Sequence, residues 1–156
     1  MIERIYLDMN VYCRPLDNQS SKRIQMESQA FMEITEMTLR GEMVIVSSDY
    51  VKFEIEQILD PLKRKDVKGF ERTLSSVNVT SSEQLIALTR EFSAKCGVNS
   101  LDALHLSATC VSNAHFFLTC DDEILLKKVS IEKLAAEKRY RLKVRNPVKY
   151  IKEKQR

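Results

Sequence analysis

Four carboxylates define the chemistry open to this chain: Asp8, Glu54, Asp102 and Asp121 each stand just past an apolar, strand-like run or at the mouth of a helix. Asp8 closes Ile5-Tyr6-Leu7, and Asp121 follows Phe116-Phe117-Leu118-Thr119-Cys120. Glu54 lies inside the helical stretch after Met43-Val44-Ile45-Val46-Ser47, while Asp102 opens Leu101-Asp102-Ala103-Leu104-His105-Leu106. In an open α/β sheet the carboxyl ends of the parallel strands gather on one edge, where ligands bind, so acids distant in sequence can converge there. Singly, each has a plainer role, because a carboxylate facing a helix N-terminus contributes only about 0.3–1 kcal/mol. Jointly they are harder to dismiss, with Asn10 two residues after Asp8 and Thr119 two before Asp121. Four anions in one pocket want a divalent ion. Carboxylate oxygens select hard ions such as Mg²⁺ or Mn²⁺, and the lack of a His/Cys cluster argues against zinc. Such an ion suits phosphodiester hydrolysis, because it activates water and neutralises the charge that builds on the phosphate.

The elements that must position these acids are legible in the hydrophobic pattern. Residues 3–7, 43–47, 77–79, 116–119 and 141–144 read as strands, short and rich in β-branched or aromatic residues. A polar loop with Pro15 and Asp17-Asn18-Gln19-Ser20 leads into a helix showing Ile24, Phe31, Ile34 and Thr38 near helical spacing and stopping at Gly41. Ser47 or Ser48 can cap a second helix, with Val51, Ile55, Ile58 and Leu59 inward. Asp60-Pro61 starts a third, to about Leu74 with Gly69 inside it. Thr80-Ser81-Ser82-Glu83 matches a capping box for a helix ending near Gly97. Further helical stretches run from Ser100 to near Asn113, over 124–128 and over 131–138. Strands alternating with helices predict the α/β class, with three α/β/α layers around a mostly parallel sheet of four to five strands.

With 156 residues, 44% hydrophobic and 30% charged, the chain has room for one domain with one core. No apolar run approaches the roughly 20 residues of a membrane helix, and the first residues do not form a signal peptide, so a cytoplasmic protein without membrane contact is expected. Cys13, Cys96, Cys110 and Cys120 form no CxxC pair, which suits buried thiols in a reducing compartment. The net charge of +3 is unevenly spread: residues 127–156 hold 12 Lys/Arg against 3 Asp/Glu, leaving 13 against 19 in the rest. An acidic body with a basic end suits a nuclease that holds phosphates near a metal, although a solvated helix with a frayed tail has the same composition.

The motifs Leu7-Asp8-Met9-Asn10, Ser47-Ser48 followed by Glu54-Ile55, Asp102-Ala103-Leu104-His105-Leu106-Ser107-Ala108 and Phe117-Leu118-Thr119-Cys120-Asp121 occur in that order along essentially the whole chain. With this pattern the sequence resembles the PIN domain family of metal-dependent ribonucleases, which includes the VapC-type toxins of toxin–antitoxin operons. The resemblance implies a PIN-like nuclease domain over residues 1–146, with residues 147–156 as a basic C-terminal tail. It implies a catalytic and metal-binding quartet of Asp8, Glu54, Asp102 and Asp121, supported by Asn10 and Thr119. Asp8 and Asp102 would be the principal ligands of Mg²⁺ or Mn²⁺, Asp121 a ligand directly or through water, and Glu54 a ligand or the base that orients water. The implied substrate is RNA, and the implied partners are a small antitoxin protein and a second copy of the chain in a homodimer.

Lys143, Arg145, Lys149 and Lys152, with Lys154 and Arg156 beyond them, are candidates to track an RNA backbone; Arg14, Lys22 and Arg23 offer an alternative path. Tyr140 and Tyr150, interleaved with basic residues, are candidates to stack on bases. His105 shares a helix face with Asp102 and reads as a packed, hydrogen-bonded histidine rather than a general base; His115 reads as a turn residue. Two other functions compete. A PIN domain that binds RNA or protein with weak or no catalysis is opposed by the complete quartet. A receiver-like signalling domain would need an acidic pair at the first strand and an acceptor Asp after a central strand, neither of which the sequence supplies.

Overall fold

The computed structural model describes residues 2–155, so Arg156 lies outside it. The first strand, β1 (Glu3–Leu7), sits at the centre, and its last three side chains are buried. The chain then builds outward on one side through α1 (Met9–Cys13), a 3₁₀ turn over Arg14–Leu16, α2 (Lys22–Leu39), β2 (Met43–Ser48), α3 (Asp49–Glu56), α4 (Pro61–Leu74) and β3 (Ser75–Val79). It crosses back through α5 (Glu83–Cys96) and α6 (Ser100–Val111) to β4 (Phe116–Leu118), and continues through α7 (Asp122–Leu126), α8 (Lys128–Glu137), β5 (Lys143–Arg145) and α9 (Pro147–Lys154). All four strand pairings among the described residues are parallel, in the order β3-β2-β1-β4-β5. The winding reverses between β1 and β4. In a doubly wound sheet that reversal opens the crevice beyond the strands' carboxyl ends.

Both faces of the sheet are covered, and Ile5, Tyr6, Leu7, Ile45, Val46, Phe117, Leu118 and Val144 are buried to 5% exposure or less. Parallel strands tolerate that burial because their side chains are apolar on both faces. The helix starts follow from side-chain oxygens that accept orphan backbone N–H groups: Ser21, Ser48, Asp60, Ser82, Asn99, Asp121 and Asn146 all do so. Before α5 the cap is Ser82, which takes the Leu85 N–H, so the helix starts two residues later than a box opened by Thr80. α1 and the 3₁₀ turn occupy a stretch that composition presents as loop, because Asp8 caps Met9 and turns the chain inward on Val11, Tyr12 and Cys13. Gly41 and Gly97 take positive φ where α2 and α5 end, as a left-handed C-terminal turn requires. No helix among the described residues is long and apolar enough to cross a membrane.

The basic C-terminal segment is helical from Pro147 to Lys154. α9 packs on α2 and buries Tyr150 and Ile151, with the Tyr150 ring edge-on to Phe116 at 4.9 Å and its hydroxyl bonded to Glu3. A solvated tail is thereby corrected to a packed helix. Tyr150, buried by these contacts, has no face to offer a base.

Candidate functional site

Asp8 leaves the carboxyl end of β1 with its carboxylate 5% exposed, a state that costs free energy unless donors surround it. Three do. The Met9 N–H reaches Oδ1 at 2.8 Å, while the Thr119 hydroxyl at 2.8 Å and the Asn10 amide at 3.2 Å reach Oδ2. Thr119 Oγ1 also accepts from Asn10 Nδ2 at 3.3 Å and from the Asp121 N–H at 3.1 Å. With both lone pairs engaged, its one proton is left for Asp8. Asn10 Oδ1 accepts the Cys120 N–H at 3.0 Å, which fixes the orientation of its amide. These bonds join the ends of β1 and β4 across the crevice.

Glu54, on α3, meets His105, on α6. His105 Nε2 bonds to Glu54 Oε1, and Nδ1 lies 2.6 Å from the Tyr6 hydroxyl, which is 2.5 Å from Ser48 Oγ. Ligand atoms of Asp8, Glu54 and His105 fall within 4.8 Å of one another, forming a group able to hold a metal ion. Asp102 and Asp121 are outside that tight group, yet the charge of Asp102 acts on His105 and that of Asp121 acts on Asp102. Asp102, in the first turn of α6 beyond its cap Asn99, is pushed up to about 6 by burial and then by the charges of Asp8, Asp121 and Glu54, with His105 opposing. Burial is also the largest cause raising Asp8, with Glu54 adding to it while His105, Thr119 and Met9 oppose. For His105 burial alone lowers the pKa, but the Glu54 bond and the charges of Asp8, Glu54 and Asp102 outweigh it and hold the ring above its ordinary value.

Asp121 caps α7 by accepting the Glu123 N–H at 2.9 Å. Its neighbours are tied down: the Arg23 guanidinium bonds to both Asp122 oxygens at 2.8 and 2.9 Å and to the Cys120 carbonyl at 2.8 Å. Arg23 also pairs with Glu27, a 1% exposed carboxylate that accepts from Arg14 at 2.8 Å and Asn146 at 2.6 Å. Arg14 and Arg23 are thus structural ties, because losing either cation leaves the buried Glu27 carboxylate with one fewer partner. Of the acids flanking the quartet in sequence, Asp49 accepts from Asn78 and Glu56 pairs with Lys68, both exposed.

Sequence reasoning recognised His105 as packed and hydrogen-bonded but missed its link to Glu54 and Tyr6. The helix spacing ties His105 only to Asp102; the other bonds span 51 and 99 residues. Among the basic candidates, Arg145 is held by Glu132 at 3.0 Å and Glu153 at 3.3 Å, and Lys154 by Glu3 at 3.1 Å. Lys149 and Lys152 line a groove of about 400 Å³ with Asn146, Val148 and Glu153, and Lys143 is exposed on β5. None of these three lysines has an ion pair among the described residues.

A parallel α/β/α domain with carboxylates gathered at its topological crevice is a PIN-like fold. No family model and no curated protein sequence matches the chain. Among solved structures, the chain is similar in fold to a chain in the crystal structure of VapBC2 from Rickettsia felis bound to a DNA fragment from their promoter, with a TM-score of 0.56 at 12% identity. The match covers 92% of this chain and 98% of that one. At that identity the likeness carries the fold.

Proposed function

We propose that the protein is a metal-dependent endoribonuclease that hydrolyses RNA phosphodiester bonds and acts as the toxin of a pair restrained by a small antitoxin. One observation carries the reading: a buried Asp8 carboxylate beside Glu54 at the crevice, whose charges, with that of Asp121, raise Asp102. The donor set fits Mg²⁺ or Mn²⁺, since its carboxylate oxygens are hard ligands whose mutual repulsion a cation relieves. Asp8 and Asp102 would be the principal ligands, with Asp121 joining directly or through water and Glu54 ligating or orienting the water. Bound there, the ion would lower the pKa of water and offset charge on the scissile phosphate. Thr119 and Asn10 hold Asp8 in one rotamer. Lys143, Lys149 and Lys152 would meet RNA phosphates farther from the cut. The likeness to VapBC2 supports the toxin reading and its antitoxin partner; a homodimer follows from the same PIN reading.

The test is cleavage of single-stranded RNA by the purified full chain with Mn²⁺, with and without EDTA. Asp8→Asn keeps the size and removes the charge, so activity should fall at least about 100-fold, about 2.7 kcal/mol of transition-state stabilisation, while the fold survives. Undiminished cleavage by that variant would assign the activity to another site or a contaminant. RNA retention without cleavage by the wild type would favour a binding module.

A further inference from the structure

Counting protons through the buried chain beneath Glu54 leaves a single arrangement for them. Ser48 Oγ accepts the backbone N–H groups of Tyr50 and Val51, each at 3.2 Å, as the cap of α3. A hydroxyl has two lone pairs and one proton, so what Ser48 has left is its O–H, which it donates to the Tyr6 oxygen at 2.5 Å. Tyr6 then gives its own O–H to His105 Nδ1 at 2.6 Å. In the neutral ring Nδ1 is thereby an acceptor, and the one ring proton sits on Nε2, aimed at Glu54 Oε1. Tyr6, Ser48 and His105 are all fully buried, so no water competes for these bonds. Ring packing holds the same arrangement: Tyr6 lies edge-on to His105 at 5.7 Å, and Phe117 lies 5.7 Å from Tyr6 and 6.5 Å from His105.

We propose that His105 is a positioning residue for Glu54, with Ser48 and Tyr6 fixing its tautomer so that one N–H holds Oε1 and leaves Oε2 free to face an ion or its water. The relay starts at the N-terminus of α3 and ends on α3 one turn and more later, passing through β1 and α6. It therefore couples the rotamer of Glu54 to three elements packed around the crevice. Groups that hold a ligand in this way commonly contribute 10–100-fold to metal affinity or activity. The inference rests on the reading of Asp8 and Glu54 as ion ligands.

The experiment measures Mn²⁺ affinity of the full chain by calorimetry, alongside RNA cleavage, for His105→Leu, His105→Gln and Tyr6→Phe. His105→Leu fills the volume without the N–H and should weaken Mn²⁺ binding by about 10-fold or more. His105→Gln keeps an N–H at the reach of Nε2 and should restore most of it. Tyr6→Phe removes only the hydroxyl that fixes the tautomer, so it tests the relay even where His105→Leu does not fold; its loss should be smaller than that of His105→Leu but measurable. In a Glu54→Ala background the Tyr6 and His105 effects should vanish, because they act through that carboxylate. Nitrogen-15 spectra at a pH where the ring is neutral, simplified by a chain with only two histidines, should show Nε2 of His105 protonated and Nδ1 bare. A wild type that binds no Mn²⁺ overturns the ion-site reading and this inference together. A wild type that binds Mn²⁺ while the Leu and Phe variants bind it equally well, or whose Nδ1 carries the proton, overturns this inference alone.

Discussion

Among individual residues, the crevice is organised by groups whose preferred charge states conflict. Burial and neighbouring carboxylates raise Asp8 and take Asp102 to about 6, so the folded chain holds protons that the unfolded chain has released. The sign follows from linkage. Carboxyls with raised folded pKa values help stability below their ordinary range near 4, and that help is lost as pH climbs to about 6. His105, also raised, loses its contribution in the same direction. A cation held there would reverse the balance, because it would prefer the ionised acids and stabilise the fold by mass action. Thermal unfolding with and without Mn²⁺ should therefore show a larger rise in Tm at pH 7 than at pH 5, where Asp102 must first lose its proton. Equal rises at the two pH values would show that these acids do not hold the ion.

Elements were legible where one local signal fixed them and illegible where a distant partner did. Asp60-Pro61, the Gly41 and Gly97 stops and the β-branched run of β2 are local, and each marks an element boundary or strand in the fold. α1 depends on Asp8 capping it, and Asp8 itself is held by Thr119, 111 residues away. α9 begins at a proline and carries four lysines or glutamates in eight residues, so its composition reads as a tail; its order comes from Tyr150 and Ile151 packing inward. Two glycines test the local signals with opposite signs. Gly69 lies within α4 with nothing within 4 Å of where a Cβ would stand, so Gly69→Ala should add about 0.5–1 kcal/mol by restricting the unfolded chain and favouring helix. Gly97→Ala meets only Lys127 Nζ at 3.9 Å, yet φ of +67° puts Cβ against the backbone, and it should cost about 1–2 kcal/mol. Denaturant melts of the two variants should bracket the wild type, and a Gly97→Ala protein as stable as wild type would remove the left-handed turn from the account.

Over the whole molecule, the candidate acids were visible because strand ends and helix starts announce themselves, whereas the free charge on the surface was not. Residues 127–156 hold 12 Lys/Arg against 3 Asp/Glu, but folding engages several of these cations with partners: Lys138 pairs with Glu91, Arg145 with Glu132 and Glu153, Lys154 with Glu3, and Lys127 donates to the Gly97 carbonyl. Removing the segment is a poor probe of RNA binding, because deleting α9 strips the cover from Phe116 and from the face of α2 on which it packs. Lys143, Lys149 and Lys152 are better probes. Every phosphate that goes without its cation should lower the slope of log affinity against log salt by about 0.7 on single-stranded RNA, so Lys143→Gln, Lys149→Gln and Lys152→Gln together should flatten it by about 2. Affinity should fall at low salt and converge on the wild-type value at high salt, while Mn²⁺ affinity stays unchanged because the proposed ion ligands are the acids and not these lysines. Arg145→Gln should behave differently, lowering Tm by uncoupling β5 from α8 and α9 with less effect on the slope. A triple variant with the wild-type slope would separate the basic face from the RNA path and leave that path to the rim of the crevice itself.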